Sequence, residues 1–206
     1  MKTILKATDF TLRELGSKFY GFLFSCKDET SFKDRLEQIK KEYPTASHHC
    51  YAYRVDPSSP IEFCSDDGEP SGTAGLPILN QLKSFEVINS GIIVIRFFGG
   101  TKLGKPGLIK AYGDTARHCL EKATLQEIKL IQLIEISYPY SFENEINKLI
   151  NNYHLEEQHA EYLEKVTRSF ACPIQLTKAL EIQLESLLHL PIQFKMLHKS
   201  YISAQG

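Results

Sequence analysis

Two glycine-rich segments on either side of one apolar strand constrain this chain more than any other feature. They are SDDGEPSGTAG (65–75) and FFGGTKLGKPG (97–107), and each precedes a predicted helix. The segment IIVIRFF (92–98) lacks polar alternation, which predicts a central strand buried on both faces. Glycine loses more conformational freedom on folding than any other residue, so two such loops are costly unless they bind something. We therefore interpret the rest of the chain as a scaffold for these loops.

The distribution of charge points to the second loop as the place where an anion would bind. The 206 residues carry a formal net charge of −1, which excludes a protein that binds polyanions over its whole surface. Residues 96–122 hold six basic and two acidic side chains, the sharpest local excess in the chain. If an anion binds, we expect it to bind in this segment.

Cysteine usage and hydropathy predict a cytoplasmic protein without membrane association. The five cysteines are widely spaced and form no C-x-x-C pair, which is typical of a reduced, cytosolic compartment. The first ten residues lack the apolar region of a signal peptide, and no apolar run approaches the length of a membrane span.

The apolar spacing predicts an α+β fold with two domains, 1–123 and 124–206. In the first domain we expect strands at 18–26, 50–55, 61–64 and 92–98. Helices are predicted to begin at N-caps Ser31 and Thr73 and near Pro106. After residue 124 the predicted order is β-α-β-β-α-β, the ferredoxin-like pattern. The linker between the domains is short.

The second loop partly matches a P-loop. Gly99-x-x-x-x-Gly104-Lys105 agrees with its first seven positions, but Pro106 replaces the Ser or Thr that binds Mg²⁺. Proline also removes one backbone N–H from a phosphate cradle, so nucleotide hydrolysis by this motif is rejected. Two interpretations remain: an anion site at a helix N-terminus beside Lys102 and Lys105, or a turn with no ligand.

The first loop concentrates acidic and hydroxyl side chains. Three interpretations apply: a divalent metal site, ion pairs with Arg96 or Lys102 that hold the two loops together, and acids placed at the positive end of a helix. The spacing is not that of an EF-hand, so we favour the second and third, and predict no metal and no cofactor. The residues concerned are Asp66, Asp67, Glu69, Ser71 and Thr73.

The cluster His48-His49-Cys50, with Cys64 on the next predicted strand, is the remaining candidate site. Structural zinc is unfavourable because no C-x-x-C or H-x₃-H element is present. A Cys–His nucleophile pair is conceivable, but free cysteines in strands are commonly small buried hydrophobes. We expect His48 and His49 to share the surface of the glycine-rich loops, where they would contact nucleic acid.

Three sequence blocks together resemble a known family. SHHCYAYRV, SDDGEPSGTAGLPIL and VIRFFGGTKLGKPGLIKAYGDTA are similar, in this order, to the signature blocks of the YigZ/IMPACT family. The resemblance covers roughly residues 15 to 123. Family members usually have Leu-Gly-Thr-Gly-Gly where this chain has Leu103-Gly104-Lys105-Pro106-Gly107, so the near match to a P-loop is peculiar to this sequence.

The resemblance implies a fold and a cellular context. It implies a first domain like the second domain of ribosomal protein S5 and a second domain like the C-terminal domain of elongation factor G. Because both relatives act on the ribosome, a link to RNA or translation is suggested. Eukaryotic members restrain a translational-control kinase with the help of an extra N-terminal domain, so that activity is not carried over to this chain.

Three functional hypotheses follow. The leading one is a non-enzymatic RNA- or ribosome-associated protein linked to regulation of translation. The phosphate backbone would meet a loop and helix surface comprising Arg96, Gly99, Gly100, Lys102, Lys105 and Lys110, with His48 and His49 beside them. The alternative is a hydrolase, a peptidase or phosphoesterase, using the acidic loop and the histidines. The third is a protein-interaction module on the acidic C-terminal sheet.

Overall fold

The computed structural model describes residues 1–203, which form two compact units that divide after Ile128. The first unit contains β1 (Lys2–Ile4), β2 (Thr8–Glu14), β3 (Ser17–Ser25), α1 (Glu29–Glu42), β4 (His48–Val55), β5 (Ile61–Ser65), α2 (Gly75–Ser84), β6 (Ser90–Phe97) and α3 (Gly104–Lys122). β7 (Leu125–Tyr138) begins in the first unit and continues into the second. A 3-10 helix (Tyr140–Phe142), α4 (Glu143–Tyr153), β8 (Glu156–Tyr162), β9 (Val166–Pro173), α5 (Thr177–Ser186) and β10 (Gln193–Ser203) follow. The predicted mixed α+β class is confirmed.

The strand between the two glycine-rich segments is the centre of the first sheet, as predicted. The strand order is β2-β3-β6-β4-β5, and all neighbours are antiparallel. β6 is buried from Ser90 to Arg96. Its side chains alternate between two cores: Ile92 and Val94 pack with α2 and α3, whereas Ile93 and Ile95 pack with α1. Helices therefore cover both faces, which explains the continuous apolar pattern.

The pairing brings both glycine-rich loops to one edge of the sheet. β5 and β6 run in the same direction because each is antiparallel to β4. The loops that follow them therefore leave the sheet at the same end of the strands. The first residues of β3 and β4 lie there too, since Lys18 pairs with Phe97 and His48 pairs with Arg96.

Some predicted boundaries are wrong. The N-cap of α1 is Asp28, whose carboxylate accepts from the Ser31 backbone N–H at 2.8 Å, so Ser31 is the third helical residue of a capping box. Thr73 does not cap α2, because its hydroxyl donates to the Pro70 carbonyl at 2.6 Å. Strands β1 and β2 were not predicted; β2 alternates half-buried and exposed residues but has no fully buried position.

The second unit has the predicted β-α-β-β-α-β order. Its strands lie in the order β10-β7-β9-β8, the arrangement of a ferredoxin-like sheet. Its core contains a buried arginine, Arg168, which donates to Glu143 at 2.9 Å, to Glu157 at 2.7 Å and to the Tyr138 hydroxyl at 3.2 Å. These partners compensate a buried charge that would otherwise be costly.

No helix within residues 1–203 is long and apolar enough to cross a membrane. All five cysteines are free thiols; Cys64 is partly exposed and the other four are buried.

Candidate functional site

A buried ion pair links the first loop to the central strand. The Nη1 atom of Arg96 donates to the Oε1 atom of Glu69 at 2.6 Å. The two side chains are only 6% and 4% exposed, respectively. The predicted pairing of the acidic loop with a basic residue is therefore confirmed for Glu69 and Arg96. Because water is excluded, loss of either partner would leave an uncompensated charge.

Helix α3 is tied to the same carboxylate. The Tyr112 hydroxyl donates to Glu69 Oε1 at 2.8 Å. Burial, with further contributions from Cys50 and Glu69, raises the pKa of Tyr112 far above its usual range, so the hydroxyl keeps its proton. Tyr112 is not among the site residues predicted from the sequence. The signal was available, since a buried tyrosine hydroxyl usually needs a hydrogen-bond partner.

The guanidinium of Arg96 also reaches the start of β3. Its Nη2 atom donates to Ser17 Oγ at 3.4 Å, and the same oxygen accepts from the Gly99 backbone N–H at 3.2 Å. The Nε atom of Arg96 is buried and has no hydrogen-bond partner within residues 1–203. The structure therefore places Arg96 inside the fold as a connector between loops, with one donor unused.

Asp66 organises the start of α2. Its carboxylate accepts from the backbone N–H groups of Gly72, Ala74 and Gly75 at 2.8 to 2.9 Å. Burial alone would raise the pKa of Asp66, but these three donors outweigh it and hold the pKa below its usual value. The interpretation of an acid at the positive end of a helix is thus confirmed, with Asp66 rather than Thr73 as the capping group.

Asp67 holds the first loop against β4. Its Oδ2 atom accepts from the His49 backbone N–H at 2.6 Å, and its own carbonyl oxygen lies 2.8 Å from His48 Nδ1. The residue adopts a left-handed conformation with φ of 42°, which aspartate tolerates better than most residues. Ser71, in the same loop, is exposed.

The two histidines face different environments. His48 is half-buried, and its Nε2 atom lies 3.9 Å from Glu69 Oε1. His49 is buried, with Nε2 3.2 Å from the Tyr43 carbonyl oxygen. Burial lowers the pKa of His49, although Asp67 and the Tyr43 carbonyl oppose this effect. His48 therefore lies beside the loops as expected, whereas the side chain of His49 is not available at that surface.

The cysteines have the character of core residues. Cys50 is buried, and its thiol donates to the Asp66 carbonyl at 3.0 Å. Burial raises the pKa of the Cys50 thiol well above its usual value, with smaller contributions from nearby carboxylates. A thiol kept protonated is a poor nucleophile. Within residues 1–203, no group of three or more His, Cys, Asp or Glu side chains is arranged to hold a metal ion.

A cavity of about 390 Å³ lies between the two loops. Glu69 and Arg96 contribute to its lining together with apolar and basic residues of both loops. Phe98, which is 50% exposed, lies with its ring centroid 5.5 Å from the Arg96 guanidinium carbon. Phe98 was not predicted as a site residue, although an aromatic side chain directly before a glycine pair is a usable signal. The lining residues are Glu69, Pro70, Arg96, Phe98, Lys102, Leu103, Gly104, Lys105 and Leu108.

The lysines of the second loop are exposed at this cavity. Lys102 and Lys105 form no ion pair with any residue in the described part of the chain. Lys105 lies in the first turn of α3, whose N-cap Leu103 makes no side-chain capping bond. The cationic side chains therefore add to the positive end of the helix. Lys110 is also exposed, but it lines a neighbouring cavity of about 280 Å³ with Glu14 and Asp114.

Two positions of the second loop require glycine, each for a different structural reason. A Cβ atom at Gly99 would overlap the carbonyl group of Gly16 and the backbone nitrogen of Ser17. Gly100 has φ of 87° and open space around it, so only its backbone conformation requires glycine. Close approach at Gly99 sets the path of the chain into the loop.

Comparison with known proteins agrees with this arrangement. Residues 15–120, which contain both loops and the buried ion pair, match the family model described as the Impact N-terminal domain. The chain belongs to the IMPACT family. It is 34% identical over 180 residues to the IMPACT family member YvyE of Bacillus subtilis (strain 168), with 79% of this chain and 83% of that protein covered. The resemblance found in the sequence blocks is thereby confirmed.

Two further relatives extend the comparison. The chain is 40% identical over 113 residues to the IMPACT family member YigZ of Escherichia coli (strain K12), which covers 53% of this chain and 55% of that protein. A solved structure titled "Crystal structure of an hypothetical protein" is similar with a TM-score of 0.66 and 26% identity, over 96% of this chain and 97% of that one. The similarity to the IMPACT relatives and to this structure supports the overall fold.

Replacing Gly99 with alanine is expected to destabilise the first unit. The overlap with Gly16 and Ser17 must be relieved by moving backbone, and such overpacking typically costs about 1–3 kcal/mol or more. Gly100→Ala is the matched control, since it suffers only the left-handed penalty of about 1 kcal/mol. Urea unfolding followed by circular dichroism should give a lower midpoint for Gly99→Ala than for Gly100→Ala. Equal midpoints would contradict the close approach.

Asp66→Asn is expected to change how stability depends on pH. The pKa of Asp66 is lowered in the folded protein, so its contribution is complete above the unfolded value of about 3.9 and is lost as pH falls through the lower folded value. The wild type should be more stable than Asp66→Asn by about 1–2 kcal/mol at pH 7. This difference in the free energy of unfolding should shrink between about pH 5 and pH 2. Ser71→Ala, in the same loop, should show no such pH dependence; a pH-independent difference for Asp66→Asn would refute the capping role.

Proposed function

We propose that this protein is a non-enzymatic, cytoplasmic RNA- or ribosome-associated factor linked to regulation of translation. The observation that carries the proposal is the pair of exposed lysines, Lys102 and Lys105, at the rim of the cavity between the loops. Neither is neutralised by an acidic partner in the described part of the chain. Free cationic side chains near a helix N-terminus are suited to phosphate oxygens.

The buried charges restrict which residues of the predicted anion surface contact a ligand directly. Arg96 is buried and paired with Glu69, so we assign it to holding the loops rather than to phosphate contact. Lys110 lies farther along α3, where it would contact the next phosphate of a bound single-stranded RNA. His48 lies beside the loops, whereas the side chain of His49 is buried and does not reach this surface. The direct contacts proposed are therefore Lys102, Lys105, Lys110 and His48.

Fold resemblance adds support from another direction. We retain the proposal that the first unit resembles the second domain of ribosomal protein S5 and that the second resembles the C-terminal domain of elongation factor G. The observed β-α-β-β-α-β order of the second unit is compatible with this assignment. Because one fold can host unrelated functions, the proposal is based on Lys102 and Lys105.

The hydrolase alternative receives less support from the geometry. It uses the acidic loop, yet the Asp66 and Asp67 carboxylates accept backbone hydrogen bonds and Glu69 is bound by Arg96 and Tyr112. The approach of His48 to Glu69, at 3.9 Å, is the one contact that favours it. The Glu69 oxygen nearest to His48 already accepts hydrogen bonds from Arg96 and Tyr112, so it is not free to take a proton from a substrate.

Binding to RNA and to ribosomes across a salt series tests the proposal. We expect affinity to fall as salt rises, with a slope of about 0.7 log units per phosphate contact on single-stranded RNA. The double substitution Lys102→Ala, Lys105→Ala should weaken binding and reduce that slope by about 1.4. The matched control is Lys40→Ala, Lys41→Ala, which removes two exposed lysines from α1 on the opposite face of the sheet.

The control makes the outcome specific. The α1 variant should bind as the wild type does, because its lysines lie on the opposite face of the sheet, although it has lost the same net charge as the loop variant. RNA and ribosome binding that is absent at low salt, or equal in both double variants, would reject the proposed role of the loop lysines.

A further inference from the structure

We propose that the cavity between the loops binds a single unstacked guanosine nucleotide. The inference rests on the proposed function and deepens it, because it assigns the kind of nucleotide that the site recognises. The nucleotide is either an unpaired residue of RNA or a free guanosine monophosphate, since both present the same base and phosphate.

The size and lining of the cavity fit one nucleotide. A volume of about 390 Å³ lies at the lower end of the range for small-molecule sites, so the cavity is suited to one base with its sugar and not to a duplex. Its lining combines an exposed aromatic ring, Phe98, with apolar side chains from Pro70, Leu103 and Leu108. Unstacked bases commonly stack on such rings, and Arg96 beside Phe98 adds a planar cation.

The buried polar groups determine which base fits. Glu69 lines the cavity, and its Oε1 atom already accepts from Arg96 and Tyr112. Its Oε2 atom accepts no side-chain hydrogen bond from residues 1–203 and remains available. Arg96, which also lines the cavity, keeps one buried donor, Nε, without a partner. An ionised carboxylate only accepts hydrogen bonds, so the floor of the site pairs one open acceptor with one buried donor that lacks a partner.

Guanine complements this pair better than the other bases. Its Watson–Crick edge presents an acceptor, O6, followed by two adjacent donors, N1–H and the N2 amino group. Uracil offers one donor between two acceptors, and adenine and cytosine place a ring acceptor next to their amino group. The carboxylate of Glu69 therefore has two donors to accept from only when the base is guanine.

The rim of the cavity supplies the phosphate site. Lys102 and Lys105 line the same cavity as Glu69 and are exposed without ion-pair partners in the described part of the chain. The internal pairing of Glu69 with Arg96 removes the net negative charge that would repel a phosphate. Base recognition at the floor and phosphate recognition at the rim are thus separate and can be tested separately.

Calorimetric titration of the full chain with the four ribonucleoside monophosphates tests the inference without altering the protein. Guanosine monophosphate should bind at least tenfold more tightly than the others, which corresponds to one good base contact. Inosine monophosphate, which lacks the N2 amino group, and 1-methylguanosine monophosphate, which lacks N1–H, should each lose most of that preference. Equal affinity for all four nucleotides would overturn the guanine assignment.

Two variants locate the effect. Glu69→Gln retains an oxygen for Arg96 and Tyr112 but replaces the open acceptor with an amide donor, so the preference for guanine should fall to less than threefold. Phe98→Ala removes an exposed ring and should weaken all four nucleotides alike. If Glu69→Gln does not fold, the nucleotide analogues still decide the matter. An affinity for guanosine monophosphate that Phe98→Ala leaves unchanged would place the base elsewhere and reject the cavity.

Short RNA oligonucleotides distinguish the two sources of the nucleotide and separate this inference from the proposed function. An eight-residue uridine oligonucleotide with one central guanosine should bind more tightly than one without it. Lysine-dependent, salt-sensitive RNA binding with no guanine preference would overturn the inference and leave the proposed function standing. Binding of guanosine monophosphate without any binding to RNA would support the cavity and reject the RNA-associated function.

Discussion

The ion pair between Glu69 and Arg96 is the interaction on which the functional end of the first unit depends. It joins the acidic loop to the central strand, and through Tyr112 it also joins that loop to α3. Both charges are almost entirely removed from water. Removing one partner of such a pair typically costs about 3–5 kcal/mol, because the other is left buried and uncompensated. The two glycine-rich loops are therefore held by charge as well as by chain connectivity.

This internal use of polar groups determines what remains for a ligand. The carboxylates of Asp66 and Asp67 accept hydrogen bonds from backbone N–H groups, so they stabilise the first loop itself. In the second loop, Gly99 allows close contact with the backbone of Gly16 and Ser17, and Gly100 adopts a left-handed conformation. What stays free is one cavity with an aromatic wall, one open acceptor and two lysines. The proposal of binding rather than hydrolysis is based on this division between structural and free groups.

The fold could be predicted from the sequence more completely than the contacts within the site. Residues 92–98 have no polar alternation, and helices on both faces of the sheet are the physical reason. The β-α-β-β-α-β order of the second unit could also be predicted, because each of its helices has one apolar stripe. Pairing of Glu69 with Arg96 could be offered only as one of three interpretations, because strand pairing and not spacing along the chain brings them together.

The remaining features could not be predicted because they depend on long-range contacts. Asp66 caps α2 from nine residues before the helix begins, so no local capping pattern reveals it. Burial of His49 follows from its position in β4 beneath Tyr43, whereas its neighbour His48 stays beside the loop. Strand β2 alternates half-buried Thr8, Phe10 and Leu12 with exposed residues, but none of its positions is fully buried because it pairs with β3 at the edge of the sheet. In each case the tertiary context overrides a weak local signal.

Hydrogen exchange measured by mass spectrometry on the Glu69→Ala variant tests the central claim most directly. The peptides of interest cover residues 65–75 and 97–107, and Ser71→Ala serves as the control within the same loop. If the ion pair holds the loops together, Glu69→Ala should increase exchange in both peptides, although only the first carries the substitution, and Ser71→Ala should leave the second unchanged. Faster exchange confined to residues 65–75 would contradict the claim that Glu69 and Arg96 couple the two loops.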